Sequence, residues 1–267
     1  MVFDLFIGID YSGAETPESR LKNLQVYAAR SGESPQKQFS PARSNNGQRC
    51  NWSRNEIAEW LIDLAKQDAR FIVGVDHGFS FPKTYFERHE LTSWNQFLDD
   101  FVRHWPTHRE HTYVDFVRDG AGPWPDWPGP GFRDGKPTEF RLCERWTSSA
   151  KSVFHFDVQG SVAKSTHAGI PWLKVIREAA RDRVHVWPFD GWQVPDSKSV
   201  LAEVYPSIFR NRYPREGRNT DEQDAYAVCR WLSERAARNN LERYFDPSLT
   251  LPERHVAQME GWILGIS

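Results

Sequence analysis

Two short segments of this chain share one form, and they constrain its fold more than any other feature. Ile7-Gly8-Ile9-Asp10 and Val73-Gly74-Val75-Asp76 each run apolar, glycine, apolar and then aspartate. The stretches that carry them, residues 2–9 and 71–75, are apolar on both faces apart from Asp4. Each therefore reads as a strand covered on both sides. Such strands belong to open α/β sheets, whose functional crevice lies beyond the carboxyl ends of the strands. If the two are parallel neighbours, Asp10 and Asp76 meet there. The plainer alternative is that a strand-end aspartate only starts a turn or caps the next segment.

The remaining pattern supports the same class. Residues 24–29 and 37–41 supply two more strands, with Gly32 and Pro35 marking the turn between them. Ser53 and Glu56 form a capping box ahead of Ile57, Trp60, Leu61 and Leu64 at helical spacing. Residues 93–105 read as a helix, and 161–181 contain another, interrupted or begun near Pro171. Residues 184–187 and 200–205 read as strands, and a strong helix follows Thr220. Between them, residues 119–137 are a Gly/Pro/Trp-rich loop that suits neither a helix nor a central strand. The expectation is one α/β domain over residues 1–267, carrying a Trp/Pro-rich insertion at roughly 83–183.

Composition excludes several classes. A chain of 267 residues can bury a core without staples. Cys50, Cys143 and Cys229 lie far apart with no C-x-x-C pair, which argues against a cysteine zinc site and fits a reducing, cytoplasmic setting. No stretch approaches the roughly 18 apolar residues of a membrane span. The first apolar run contains Asp4 and lacks a basic leader, so it is expected to be a strand and not a signal peptide. A net charge of −2 excludes binding of nucleic acid by bulk charge, though not an enzyme with a local basic groove.

The last helix adds acids to the crevice. Thr220 and Gln223 suggest a capping box that makes Asp221 the first helical residue and Asp224 the fourth. From Asp224 the helical stripe continues through Ala227, Val228 and Trp231, and from Asp221 through Ala225, Val228 and Leu232. Asp221 and Glu222 are also explained by the helix dipole alone. Carboxylates on a sheet-facing stripe are unfavourable unless something neutralises them. Glu203, in the apolar strand Leu201-Ala202-Glu203-Val204-Tyr205-Pro206, is a further acid of this kind. Mg²⁺ or Mn²⁺, which favour oxygen ligands and keep several waters, would be the natural neutraliser. Two such ions about 3.5–4 Å apart can activate a water and stabilise a leaving oxygen in phosphodiester hydrolysis.

Three elements then resemble the RNase H-like superfamily: Phe6-Ile7-Gly8-Ile9-Asp10, Val73-Gly74-Val75-Asp76, and Thr220-Asp221-Glu222-Gln223-Asp224-Ala225-Tyr226-Ala227. The likeness is to its uncharacterised branch of predicted nucleases, with some similarity to RuvC-type Holliday-junction resolvases. Glu203-Val204-Tyr205-Pro206 resembles a Glu-x-x-Pro element of that branch. The resemblance covers the first third and last quarter of the chain. It implies a mixed five-stranded sheet in the order 3-2-1-4-5, with strands 1, 4 and 5 parallel and helices at its sides. It also implies Asp10 and Asp76 as strand acids, Asp221 and Asp224 as helix acids, and Glu203 as a fifth-strand ligand or supporting residue. Mg²⁺ or Mn²⁺ would be the cofactor, DNA or RNA the partner, and phosphodiester hydrolysis the reaction. One departure is the aspartate on the fourth strand, where many members carry glutamate.

Other readings are kept beside this one. A non-catalytic scaffold would retain the sheet and acids as relics. Residues 7–13 also resemble the first phosphate loop of actin-like ATPases and sugar kinases, but no second glycine-rich loop accompanies it. His104, His108 and His111 are near helical spacing, yet Pro106 interrupts them and a solvated helix end is the simpler account. His77 is expected to point away from Asp76, and Ser12 to close its turn. In residues 122–131, Trp124 and Trp127 interleave with prolines, flanked by Arg118, Arg133 and Lys136; they either stack on nucleobases or cover the core. Lys198, Arg210, Arg212, Arg215 and Arg218 are candidates for a phosphate-binding rim.

Overall fold

A computed structural model describes residues 2–44, 46–147 and 149–266. The chain runs through β1 (Leu5–Asp10), β2 (Gln25–Arg30), β3 (Gln36–Gln38), a small hairpin of β4 (Ser40–Arg43) and β5 (Arg49–Cys50), α1 (Arg54–Ala65) and β6 (Phe71–Asp76). Short helices follow: α2 (Lys83–Arg88), α3 (Trp94–His104), α4 (Val114–Arg118) and α5 (Leu142–Trp146). Next come α6 (Ala163–Ala180), β7 (Val184–Trp187), β8 (Ser199–Glu203), α7 (Thr220–Ala237) and α8 (Leu251–Glu260).

Six strands form one mixed sheet in the order β3-β2-β1-β6-β8-β7. β2 is antiparallel to β1 and β3, whereas β6, β8 and β7 run parallel to β1. Among the described residues the count is six and not five, because β7 adds a strand outside β8. β7 is the outermost strand on that side, and all four of its residues are buried. Its presence makes β8 an interior strand, and Glu203 at the end of β8 is consequently only 3% exposed.

The side chains alternate between two layers. Ile7, Ile9, Val73 and Val75 face the layer that holds α1, α3 and α6. Phe6, Ile72 and Ala202 face α7 and the C-terminal Trp262, Ile263 and Leu264. The register sets Gly8 beside Gly74 and Asp10 beside Asp76. A Cβ on Gly8 would lie 2.1 Å from the carbonyl oxygen of Ala225, and one on Gly74 would lie 2.7 Å from the side chains of Val204 and Val228. The paired glycines thus let α7 lie directly on the sheet. The repeated apolar-Gly-apolar-Asp form has a single physical reason: the glycine admits the helix that brings the next aspartate.

The segment between β6 and α6 shares the first layer. Phe81, Tyr85, Phe97, Phe101 and Phe154 pack largely edge to face, in the same cluster as Ile9 and Val75 of the sheet. Helix α6 spans Pro171 and does not begin there. The proline leaves the carbonyl of His167 without its helical donor, and the hydroxyl of Thr107 donates to that oxygen at 2.6 Å. No helix among the described residues is long and apolar enough to cross a membrane.

Candidate metal centre

Three carboxylates arrive at one point from three elements. Asp10 ends β1, Asp76 ends β6, and Asp224 lies in the second turn of α7. One oxygen from each lies within 4.8 Å of the others. The start of α7 differs from the sequence expectation by one residue. Asn219 is the cap, and its side chain accepts from the backbone N–H of Glu222 at 2.8 Å. The Glu222 carboxylate accepts from the N–H of Asn219 at 2.9 Å, completing the box. Thr220 is therefore the first helical residue, and Asp221 and Asp224 are the second and fifth. Asparagine caps as well as threonine does, so the sequence alone offers two adjacent starts. A Lys37–Glu222 ion pair at 2.6 Å fastens β3 to this helix end.

Crowding makes these acids reluctant to ionise together. Burial pushes the Asp10 carboxyl well above its usual range, and the charges of Asp76, Asp221 and Asp224 push it further. Asp76 is raised to about 8 by burial and then by Asp224 and Glu203, although Arg210 and a hydrogen bond with Asp10 oppose the rise. Asp224 is raised to about 6 by burial, with Arg210 opposing. Oδ2 of Asp224 accepts from Arg210 Nη1 at 3.1 Å, whereas Oδ1 is buried and has no partner among the described residues. An all-oxygen donor set, an excess of negative charge and a buried carboxylate oxygen without a donor together fit a hard divalent cation.

The other candidate residues separate. Asp221 is half-buried on the wall of the same crevice, outside the group of three, and burial raises its pKa. Glu203 is not a free ligand. Its carboxylate accepts from Arg141 Nη1 and Nη2 at 2.7 and 2.6 Å and from the N–H of Phe79 at 3.0 Å. An interior strand end cannot hold an unpaired charge, and the chain supplies its own guanidinium there. Arg141 could not be singled out from sequence, since it lies 62 residues from Glu203 and no spacing links them.

The crevice over the acids has a volume of about 830 Å³, and Ser12, Tyr113, Lys164, Tyr205 and Arg210 help to line it. Lys164 is paired with Asp115 at 2.6 Å. Arg54, fully buried, donates to the carbonyls of Ser12, Ala14 and Glu15 and so pins the loop after β1. A Cβ on Gly13 would lie 2.1 Å from the carbonyl oxygen of Lys164. That glycine serves close packing against α6, and Ser12 closes its turn by accepting from the N–H of Ala14 at 3.3 Å. His77 lies in the opposite layer, with Nδ1 2.8 Å from the carbonyl of Gly78 and burial lowering its pKa to about 4.

Lys198 donates to the carbonyl of Arg181 near the start of β8, at the far end of the sheet from the acids. Arg215 and Arg218 bind the turn before α7, and Arg218 lies 3.6 Å over the ring of Tyr226. His104 meets the carbonyl of Gly129, and His111 is exposed beside Glu18. Among the described residues, none of His104, His108 and His111 belongs to a group able to share a metal. Residues 119–137 are without helix or strand, and their side chains do not line the crevice. Arg118 and Arg133 are paired with Asp157 and Asp100. Compared with family models, curated proteins and solved structures, the chain matches none of them.

Proposed function

We propose that the chain is an RNase H-like nuclease that hydrolyses phosphodiester bonds of DNA or RNA with Mg²⁺ or Mn²⁺. The observation that supports this most directly is the meeting of Asp10, Asp76 and Asp224 at one end of the sheet, with a buried oxygen of Asp224 left without a donor. A bound divalent ion would polarise a phosphate and an attacking water. The chain's own groups do the rest. Asp10 and Asp76 would hold the cation from the strand ends, and Asp224 would close the set from α7. Arg210 offers positive charge to the phosphate backbone, and the open, polar crevice admits a strand end or loop. Asp221 on the wall orders water or substrate beside Asp10.

The test is a panel of labelled single-stranded, duplex and branched DNA and RNA, incubated with Mg²⁺, Mn²⁺ or chelator. Cleavage that needs the metal, and that disappears in Asp10→Asn and Asp224→Asn, is expected. Binding without cleavage throughout the panel would replace the enzyme with a scaffold. Saturable ATP binding without any effect on nucleic acid would replace it with a phosphotransferase.

A further inference from the structure

The cation in contact with the acidic cluster is the protein's own. Arg210 lies in a 3-10 turn between β8 and α7, and its Nη1 donates to Asp224 Oδ2 at 3.1 Å while Nη2 donates to the Ser207 hydroxyl. Its main chain is fixed as well. The Gln223 side chain donates to the carbonyls of Arg210 and Tyr213 at 3.1 and 2.9 Å, and accepts from Arg218 at 2.9 Å. The residue that holds Arg210 in place is thus the immediate neighbour of the aspartate that Arg210 meets. On the same carboxylate, Oδ1 is buried without a partner, and Asp224 as a whole is only 8% exposed.

Resting on the metal-dependent reading above, we infer that the centre takes one divalent ion and that Arg210 serves as its second cation. The donors suffice for one ion. Asp10, Asp76 and Asp224 each offer an oxygen within 4.8 Å of the others. A second ion would have to share Asp10 and Asp76 with the first, since Oδ2 of Asp224 is taken by Arg210, Glu203 by Arg141, and Asp221 stands on the wall outside the group of three. Within the group of three the charges close as well, since one divalent ion and one guanidinium balance Asp10, Asp76 and Asp224. A second divalent ion would face the guanidinium across a half-buried site, where like charges repel far more than in water. The Arg210 side chain is 34% exposed toward the crevice, so its planar fork can keep Asp224 and still reach a phosphate oxygen.

Manganese titration of the full chain tests this, read by calorimetry for stoichiometry and by electron paramagnetic resonance for coupling between ions. Wild type is expected to bind one Mn²⁺ per chain and to show an uncoupled spectrum up to saturation. Arg210→Gln is expected to admit a second ion and give an exchange-coupled spectrum, while Arg210→Lys, which keeps the charge, remains at one. Two coupled ions in the wild type would overturn the inference and leave the metal-dependent reading intact. So would an Arg210→Gln chain that keeps one ion at unchanged affinity. Absence of any Mn²⁺ binding by the wild type would remove both.

Discussion

Asp76 and Glu203 end adjacent parallel strands, yet the chain treats their charges in opposite ways. Glu203 is enclosed by Arg141 and the N–H of Phe79, and Arg141 is in turn shared with Glu144 at 2.8 Å. Asp76 has only other acids and one opposing arginine at a distance, and its carboxyl is raised to about 8. A buried carboxylate with a dedicated guanidinium ties elements together, here β8, α5 and the loop after β6. A buried carboxylate facing other carboxylates is unfavourable in its ionised form, and its pKa rises.

The largest expected effect probes that division directly. Asp10→Asn or Asp224→Asn should reduce metal-dependent cleavage by about 10³-fold or more, because the acids act as one unit. Glu203→Gln, compared at equal folded fraction, should retain most of it. An equal loss in all three would erase the distinction between the two acids.

Stability should move the other way. Glu203→Gln removes one partner of a buried ion pair, and breaking such a pair destabilises by about 3–5 kcal/mol. Shared pairing of Arg141 with Glu144 places the expectation at the lower end. Asp76→Asn removes the cost of keeping that carboxyl protonated in the fold and should raise the melting temperature of the metal-free chain at neutral pH. Chemical denaturation of both variants checks the signs, and destabilisation by Asp76→Asn would mean that its charge is already compensated.

The pH dependence sharpens the same contrast at smaller amplitude. Asp76 has a folded pKa of about 8 against an ordinary 3.8, so between those values the folded chain holds a proton that the unfolded chain has released. Metal-free stability should therefore fall as pH rises through this window, by several degrees of melting temperature. Saturating Mn²⁺ should restore it, with the larger gain at the alkaline end, where fewer protons must leave. A metal-free melting temperature that does not change across the window would contradict the crowding of Asp10, Asp76 and Asp224.

How much of this was legible in the sequence follows from the range of the forces involved. The strand-end aspartates and the stripe of α7 are local patterns, and they locate Asp10, Asp76 and Asp224 on one side of the sheet without any structure. The glycines were legible as a motif, but their reason, the approach of Ala225 and Val228, is a contact across more than 150 residues. Arg141, Arg54 and the Thr107–His167 bond are long-range compensations, and nothing in their spacing announces them. The additional strand β7 was visible as an apolar run, whereas its place outside β8 depends on the path taken by the segment before it. That place decides whether Glu203 is interior and so whether it needs an arginine.

The smallest effects are expected in the Trp/Pro-rich loop, where a second contrast holds between neighbouring indoles. Trp127 packs against the core and donates to the carbonyl of Arg103 at 3.1 Å, whereas Trp124 is 40% exposed and Phe132 85%. Trp127→Ala should cost about 1–2 kcal/mol, less than a fully buried indole, while Trp124→Ala and Phe132→Ala should stay within about 0.5 kcal/mol. None of the three lines the crevice, and the nearby Arg118 and Arg133 are already paired. Oligonucleotide affinity, measured by fluorescence anisotropy, should therefore change little in Trp124→Ala. Stacking on one base is worth about 1–3 kcal/mol, which at the middle of that range is a loss of about tenfold or more. A loss of that size would make the exposed indole part of the binding surface and extend the substrate path well beyond the acidic crevice.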